Sequence, residues 1–180
     1  MDTSLRVVSC SSLVKGKRVN LIVKALAKLA LDVEWVHFGD GDQCDEVEDL
    51  AIRLLPDNVN YKFMGNVKNS EIMAYYANES VDCFITTSES EGAPVSIMEA
   101  MSFGIPIIGT DVGDVGFMVE GNGILLSDNP HVAEISDAIM EIHNETDEHI
   151  EQLRKVSLEK WRKYYNAENN SKIVIKLLNE

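Results

Sequence analysis

The stretch DCFITTSESEGAPVSIMEAMSFGIPIIGT, residues 82–110, has the pattern of a strand, a turn, a helix and a second strand. Its two ends, DCFITT and IPIIGT, are mostly apolar rather than alternating, which is typical of strands covered on both faces of a sheet. Between them, VSIMEAMSF repeats apolar residues at helical spacing, with Pro94 in the first helical turn and Gly104 at the C′ position. The stretch therefore predicts one β–α–β unit of a parallel sheet.

The same alternation runs along most of the chain. Apolar, β-rich runs predict further strands at 5–10, 33–39, 59–65 and 123–127. Helical patterns occur at 18–31, 44–55, 69–79, 131–143 and in the 147–180 tail, with Pro56 ending the second helix and Asn69 as N-cap of the third. The alternation predicts an α/β fold: a Rossmann-like, doubly wound parallel sheet of about six strands in three α/β/α layers. We expect residues 1–180 to form a single domain.

Size and charge limit the classes of function. With 180 residues, 45% of them hydrophobic, the chain suits one domain with a substantial core. Its formal net charge of −14 disfavours a general nucleic-acid binder and a surface held to anionic lipid, since both need a basic face. No apolar run reaches the ~18 residues of a membrane span. We therefore expect no nucleic-acid partner and no transmembrane segment.

The cysteines and histidines form no metal-binding or disulfide pattern. Cys10 and Cys83 lie in strand-like runs and are expected to be inert core thiols, and no CxxC spacing occurs. The four histidines lack metal-ligand spacing, so we expect surface or core histidines and no metal. Free thiols and the lack of a signal-peptide pattern predict a cytoplasmic location, with work at the inner membrane face left open.

Ligands of doubly wound sheets bind outside the carboxyl ends of the strands, and the first turn at that edge is basic. Lys15, Lys17 and Arg18 lie just before or at the start of the first helix, where a helix N-terminus favours anions. Cations at a helix N-terminus destabilise the helix, and residues that are unfavourable for local structure are often found at functional sites. The turn predicts a phosphate site, with solvated surface lysines as an equally weighted alternative.

The turn and helix after the fourth strand carry two carboxylates eight positions apart, Glu91 and Glu99. Glu99 is flanked by apolar residues and has no Lys or Arg within four positions, so a local ion pair on the helix surface does not explain it. A buried carboxylate needs partners. The backbone amides of Gly92, Ala93 and Val95 should point out at the top of the sheet, ready for a phosphate or a sugar oxygen.

Taken together, these segments resemble the C-terminal, donor-binding domain of a retaining glycosyltransferase of family 4, one half of a GT-B fold. Residues 88–113, SESEGAPVSIMEAMSFGIPIIGTDVG, are similar to the E-x7-E motif of that family and its surroundings, with Glu91 and Glu99 in the two positions. Residues 14–26, VKGKRVNLIVKAL, are similar to its phosphate-binding segment, with Lys17 at the lysine position. FGDG, FMGNV and EIMAYY also follow in family order.

The resemblance implies a nucleotide-diphosphate sugar as the donor, UDP- or GDP-linked, with no cofactor and no metal. Glu91 and Lys17 are implied as catalytic residues, the first holding the transferred sugar and the second stabilising the leaving diphosphate. Glu99 would accept hydrogen bonds from the ribose hydroxyls, and the turn at 65–67 would line the base. The full set of implied donor-binding residues is Ser12, Lys15, Arg18, Gly65, Asn66, Val67, Gly92, Ala93, Pro94, Val95, Ser96 and Glu99.

Three departures from the family pattern bear on function. Ser12 stands where the family usually has an arginine, and Asp114 and Phe117 occur in the later Gly-Gly-x-x-Glu segment. These changes would weaken an anion site if they face it. The resemblance also implies that the family's N-terminal, acceptor-binding domain is not in this sequence, which would then be a fragment or work with a separate subunit. The acceptor, a saccharide or lipid-linked saccharide, would bind to that part, and this chain alone should turn over little. We expect hexose transfer in polysaccharide or glycoconjugate synthesis; the alternative is a non-catalytic nucleotide-sugar-binding or interaction module that has lost transfer activity.

Overall fold

The computed structural model describes residues 4–167, and its centre is a six-stranded sheet in which every pairing is parallel. The strands are β1 (Leu5–Cys10), β2 (Val33–Phe38), β3 (Val59–Phe63), β4 (Cys83–Thr86), β5 (Ile107–Thr110) and β6 (Gly123–Leu126). They lie in the order β3-β2-β1-β4-β5-β6, so the chain starts in the middle and winds outward in both directions. This arrangement confirms the doubly wound fold.

Helices connect the strands on both faces of the sheet. They are α1 (Val19–Leu26), α2 (Cys44–Leu54), α3 (Asn69–Asn78), α4 (Val95–Ser102), α5 (Val115–Val119), α6 (Val132–Asn144) and α7 (Asp147–Lys160). A 3-10 turn, Lys15–Lys17, precedes α1, and a π-helical turn, Trp161–Tyr165, follows α7. The sequence did not predict α5, because five residues are too few to show helical periodicity.

The ends of the helices test the helix starts and stops that were predicted from the sequence. Helix α2 stops at Leu54, and Leu55 is extended, as the residue before a proline should be. Two predicted caps are wrong. Lys68 occupies the N-cap of α3, and Asn69 is the first helical residue, whereas Pro94 is the extended N-cap of α4 rather than part of its first turn.

Two apolar clusters cover the two faces of the sheet and give the three layers. One contains Trp35 with buried residues of α1, α2 and α6, and the other contains Phe84 with buried residues of α3, α4 and α5. Trp161 and Tyr165 are partly buried against the second cluster. The predicted helical tail after residue 167 lies outside the described residues.

The strand order determines where a ligand can enter. β1 pairs with β2 on one side and with β4 on the other, so the connections that leave β1 and β4 diverge onto opposite faces. A crevice opens at such a point outside the carboxyl ends of the strands. The β1–α1 and β4–α4 turns, which hold most of the predicted site residues, therefore meet at this edge.

Candidate functional site

A cavity of about 400 Å³ opens at the carboxyl edge of the sheet. Its walls come from the ends of β1 and β2, from the β3–α3 turn and from the start of α4. The predicted site residues that line it are Ser12, Lys17, Gly65, Asn66, Val67, Glu91, Pro94, Val95, Ser96 and Glu99. The sequence did not predict the remaining lining residues, Cys10, Ser11, Phe38, Gly39 and Ile72.

Lys17 and Glu91 form an ion pair within the cavity wall. The Lys17 ammonium donates to Oε1 of Glu91 over 2.6 Å, and the two side chains are 27% and 12% exposed, respectively. The residues are 74 positions apart in the chain, so this contact exists only because the β1–α1 and β4–α4 turns adjoin. Among the ion pairs of the described residues, it is the one that lies in the cavity.

Backbone contacts hold these two turns together. The Thr87 hydroxyl lies 3.1 Å from the carbonyl oxygen of Lys17 and 3.0 Å from that of Arg18, and the amide of Glu89 donates to the Gly16 carbonyl over 2.9 Å. Because these bonds link main chain to main chain or to a buried threonine, the Lys17 backbone has little freedom relative to β4. The Lys17 side chain therefore extends into the cavity from a backbone whose position is fixed.

Arg18 and Lys15 do not line the cavity, although both were predicted to bind the donor. The Arg18 backbone is left-handed, with φ 50°. Its guanidinium donates to the carbonyls of Thr87, Ser88 and Asp128 over 2.6, 2.9 and 2.9 Å, respectively. Arg18 thus joins the turns after β1, β4 and β6, and its donors are used by the protein itself. Lys15 is exposed.

The loop that carries Glu91 rests on the β5–α5 turn. The Asp114 amide donates to the Gly92 carbonyl over 3.1 Å, and Gly113, with φ 55°, passes so close that a Cβ there would lie 1.9 Å from the Glu91 carbonyl oxygen. Gly92 and Ala93 are exposed and do not line the cavity, whereas Val95 and Ser96, the first residues of α4, do. The amides in the first turn of a helix lack intrahelical acceptors, so this end of α4 can receive an anion.

Glu99 lies on α4, half-buried in the cavity wall. Its Oε1 accepts a hydrogen bond of 2.5 Å from Nδ2 of Asn69. Burial raises the pKa of Glu99, and the hydrogen bond from Asn69 opposes that rise. Cys10 is a partly buried cavity residue rather than a simple core thiol, and burial together with the Glu99 charge raises its pKa to about 11, which keeps the thiol protonated and unreactive.

A buried polar chain supports the floor of the site and was missed by sequence analysis. Trp35 Nε1 donates to the Ser9 hydroxyl over 2.9 Å, and Ser9 Oγ lies 2.8 Å from Nδ1 of His37. His37 Nε2 lies 3.2 Å from the Ser11 carbonyl, which can only accept, so Nε2 carries the proton and Nδ1 accepts from Ser9. Burial lowers the pKa of His37 to about 4. The chain braces the strand end that leads into the cavity.

Two residues that depart from the family pattern lie outside the cavity. Asp114 and Phe117 are not among the residues that line the cavity. The Phe117 ring packs edge-on against Tyr164, with centroids 5.2 Å apart, and the Lys160 ammonium lies 4.9 Å from its centre. The weakening expected if these two residues faced the anion site therefore does not apply. Ser12 does line the cavity, so the lack of an arginine at that position remains relevant.

Two further properties concern residues 4–167. They contain no group of three or more His, Cys, Asp or Glu side chains placed to hold a metal ion. None of their helices has the length and the apolar character that crossing a bilayer requires.

Comparison with known proteins gives a consistent group. The profile of a family described as "Glycosyl transferases group 1" matches residues 2–160. The chain is 30% identical over 133 residues to the GtfA subunit of UDP-N-acetylglucosamine--peptide N-acetylglucosaminyltransferase of Streptococcus pneumoniae, covering 69% of this chain and 25% of that protein. It is 39% identical over 67 residues to the O-antigen biosynthesis glycosyltransferase WbnH of Escherichia coli, covering 37% and 18%. The aligned segments thus cover a quarter or less of the length of these relatives.

The fold is also similar to that of a solved structure with ligands. Anabaena HepE in complex with UDP and glucose superposes with a TM-score of 0.80 at 23% identity, over 99% of this chain and 49% of that one. At this level of identity the likeness shows the fold alone. That fold, a Rossmann-like sheet, is the one found in GT-B glycosyltransferases.

Proposed function

The chain belongs to the glycosyl transferases group 1 family, and on that premise we propose that it is the donor-binding domain of a retaining glycosyltransferase. The reaction would move a hexose from a UDP- or GDP-linked donor to a saccharide or lipid-linked acceptor, in polysaccharide or glycoconjugate synthesis. The observation that carries the proposal is a single cavity lined by one ammonium group and two carboxylates, those of Lys17, Glu91 and Glu99. No metal or cofactor has a part in this proposal.

The diphosphate would bind between Lys17 and the start of α4. An ammonium has three donors, so Lys17 can keep a contact to Glu91 or exchange it for phosphate oxygens. The free amides at Val95 and Ser96 add positive potential without a further side chain. As the bond from the sugar to the diphosphate breaks, negative charge grows on the leaving group, and a preorganised cation beside it lowers the barrier.

The transferred sugar would lie against Glu91. In the free protein its carboxylate is neutralised by Lys17; when a diphosphate takes over the ammonium, the carboxylate can accept hydrogen bonds from sugar hydroxyls. Glu99 would accept from the ribose hydroxyls, and the base would lie on the turn at 65–67. HepE, which shares the fold, binds UDP and glucose in its solved structure, which supports a nucleotide-sugar ligand for this chain.

The acceptor and complete turnover would need more than this chain supplies, since its matches cover only 18% of WbnH and 25% of GtfA. The alternative of a binding module without transfer activity loses two of its three supports, because Asp114 and Phe117 do not line the cavity. Ser12 remains in its favour.

Donor binding can be tested by thermal shift and calorimetry with UDP, GDP and their hexose conjugates, since a ligand that binds only the native state raises the melting temperature. Lys17→Ala should weaken UDP or GDP binding by about 2 kcal/mol, roughly thirtyfold, which is typical of a lost charge-assisted hydrogen bond. Lys15→Ala is the matched control. Lys15 carries the same charge and lies two positions before Lys17, but its side chain is exposed and does not line the cavity. Equal effects of the two substitutions would contradict the assignment of Lys17.

A further inference from the structure

The side chain of Asn69 links α3 to α4 through Glu99, which lines the cavity. Asn69 is the first residue of α3, and its Nδ2 donates to Oε1 of Glu99 on α4, 30 positions later in the chain. In the described part of the chain, no other group donates to the Glu99 carboxylate and no lysine or arginine pairs with it. One carboxylate oxygen is therefore held, and Oε2 has no donor from these residues.

Both helices are fixed by the same apolar cluster. Ile72, one turn after Asn69, is buried in it, and Val67 packs against it just before α3. On the other side, Ile97 and Ala100, which flank Glu99 in the chain, are fully buried in that cluster. Because α3 and α4 cannot shift without disturbing this packing, the backbones of Asn69 and Glu99 are held at a fixed distance from each other.

The type of partner matters for what Glu99 can do. A lysine or arginine would neutralise the carboxylate and compete with a ligand for both oxygens. An asparagine amide orients the group and leaves its negative charge in place. A carboxylate held through one oxygen, with its second oxygen unshared, is suited to accept hydrogen bonds from a pair of neighbouring hydroxyls.

The surroundings of Glu99 make this support necessary. The titratable groups that interact with its charge are Cys10 and Tyr76, both neutral at physiological pH, since burial raises the pKa of each. Burial also raises the pKa of Glu99 itself, and the Asn69 hydrogen bond is the opposing influence. Without Asn69, no hydrogen bond from the described residues would oppose that rise in pKa or hold Oε1.

We propose that Asn69 is a positioning residue for recognition of the donor's ribose, holding Oε1 of Glu99 so that Oε2 faces the ribose hydroxyls. This inference rests on the proposed function, in which Glu99 accepts from those hydroxyls. Asn69 need not touch the nucleotide, because it acts through the orientation of Glu99.

The test compares each nucleotide with its 2′-deoxy analogue. Calorimetry of UDP and 2′-deoxy-UDP, or of GDP and 2′-deoxy-GDP if guanine is preferred, measures how much the ribose hydroxyl contributes. In the wild-type chain we expect the ribonucleotide to bind at least about tenfold tighter, the lower end of the range for one hydrogen bond to a charged group. Asn69→Ala should reduce this preference to about threefold. Asn69→Asp keeps the shape but removes the donor and places a second carboxylate beside Glu99, so the preference should disappear.

Asn78→Ala is the matched control, since Asn78 ends the same helix, and within residues 4–167 its Nδ2 donates to the Ala74 carbonyl and not to the cavity. It should leave the preference unchanged, which separates positioning from a general effect on α3. A preference that disappears in Glu99→Ala but survives in both Asn69 variants would overturn this inference and leave the proposed function standing. A preference that also survives Glu99→Ala would overturn the ribose assignment of Glu99, and the inference with it.

Discussion

The ion pair between Lys17 and Glu91 predicts opposite effects of one substitution on two related ligands. Glu91→Gln is nearly isosteric and removes the charge that neutralises Lys17 in the free protein, where the two side chains are 2.6 Å apart. A diphosphate without a sugar then no longer has to displace a carboxylate. We expect UDP alone to bind more tightly to this variant than to the wild-type chain, whereas a UDP-hexose should bind more weakly.

The magnitudes follow from the exposure of the pair. Fully exposed ion pairs contribute about 0–1 kcal/mol, and this one, with side chains 27% and 12% exposed, belongs near the upper value. Its release should tighten UDP binding by about 1 kcal/mol, roughly fivefold. Loss of the carboxylate's hydrogen bonds to the sugar costs about 2–3 kcal/mol, as is usual for charged acceptors. The UDP-hexose should therefore bind about 1–2 kcal/mol more weakly, a net loss of roughly five- to thirtyfold.

Isothermal titration calorimetry of both ligands against the same protein preparation gives the two affinities directly. Glu89→Gln is the control, because Glu89 is exposed, lies two positions earlier and carries the same charge outside the cavity. The reasoning fails if Glu91→Gln weakens UDP and UDP-hexose by the same factor, since Glu91 would then not distinguish the sugar. It also fails if Glu89→Gln reproduces the split.

Two further predictions concern stability. Gly113→Ala should destabilise the chain by more than about 2 kcal/mol and weaken nucleotide-sugar binding, because a left-handed alanine costs ~1–2 kcal/mol and its Cβ would lie 1.9 Å from the Glu91 carbonyl oxygen. Gly121→Ala is the control: Gly121 has φ 78°, and among the described residues a Cβ there would have Val156 as its neighbour, at 3.7 Å, so this variant should show the backbone cost alone. Similar urea midpoints for the two variants would contradict the clash at Gly113. His37, with a folded pKa of about 4, stays neutral while the unfolded chain binds its proton below about pH 6.5, so stability falls as pH drops from 6.5 towards 4. From pH 7 to pH 5 the wild-type chain should lose about 2 kcal/mol more than His37→Gln in urea unfolding, and parallel pH profiles would show that His37 is not responsible.

Local sequence patterns were sufficient for the architecture. Strand bounds agree within two residues, because an apolar run between turn residues depends on neighbouring positions alone. The end of α2 before Pro56 was also predicted correctly, since the restriction that proline places on the preceding residue acts within a single peptide unit. The sequence marked the basic turn that holds Lys17 and the unpartnered Glu99, the family resemblance added Glu91, and all three line one cavity.

What the sequence determined by itself is therefore the order of the strands and of every helix but α5 among the described residues, together with the edge of the sheet at which charged turns gather. The tertiary structure decided which of those charges enter the cavity: Lys17 lines it, while the adjacent Arg18, left-handed in backbone, donates to three carbonyls that come from turns 69 to 110 positions away. Asn69 likewise reads as a helix cap in sequence and meets Glu99 only once α3 and α4 pack together. The physical reason is range: helical and strand preferences act over a few residues, whereas a side chain's partner depends on how distant segments pack, which no local pattern encodes.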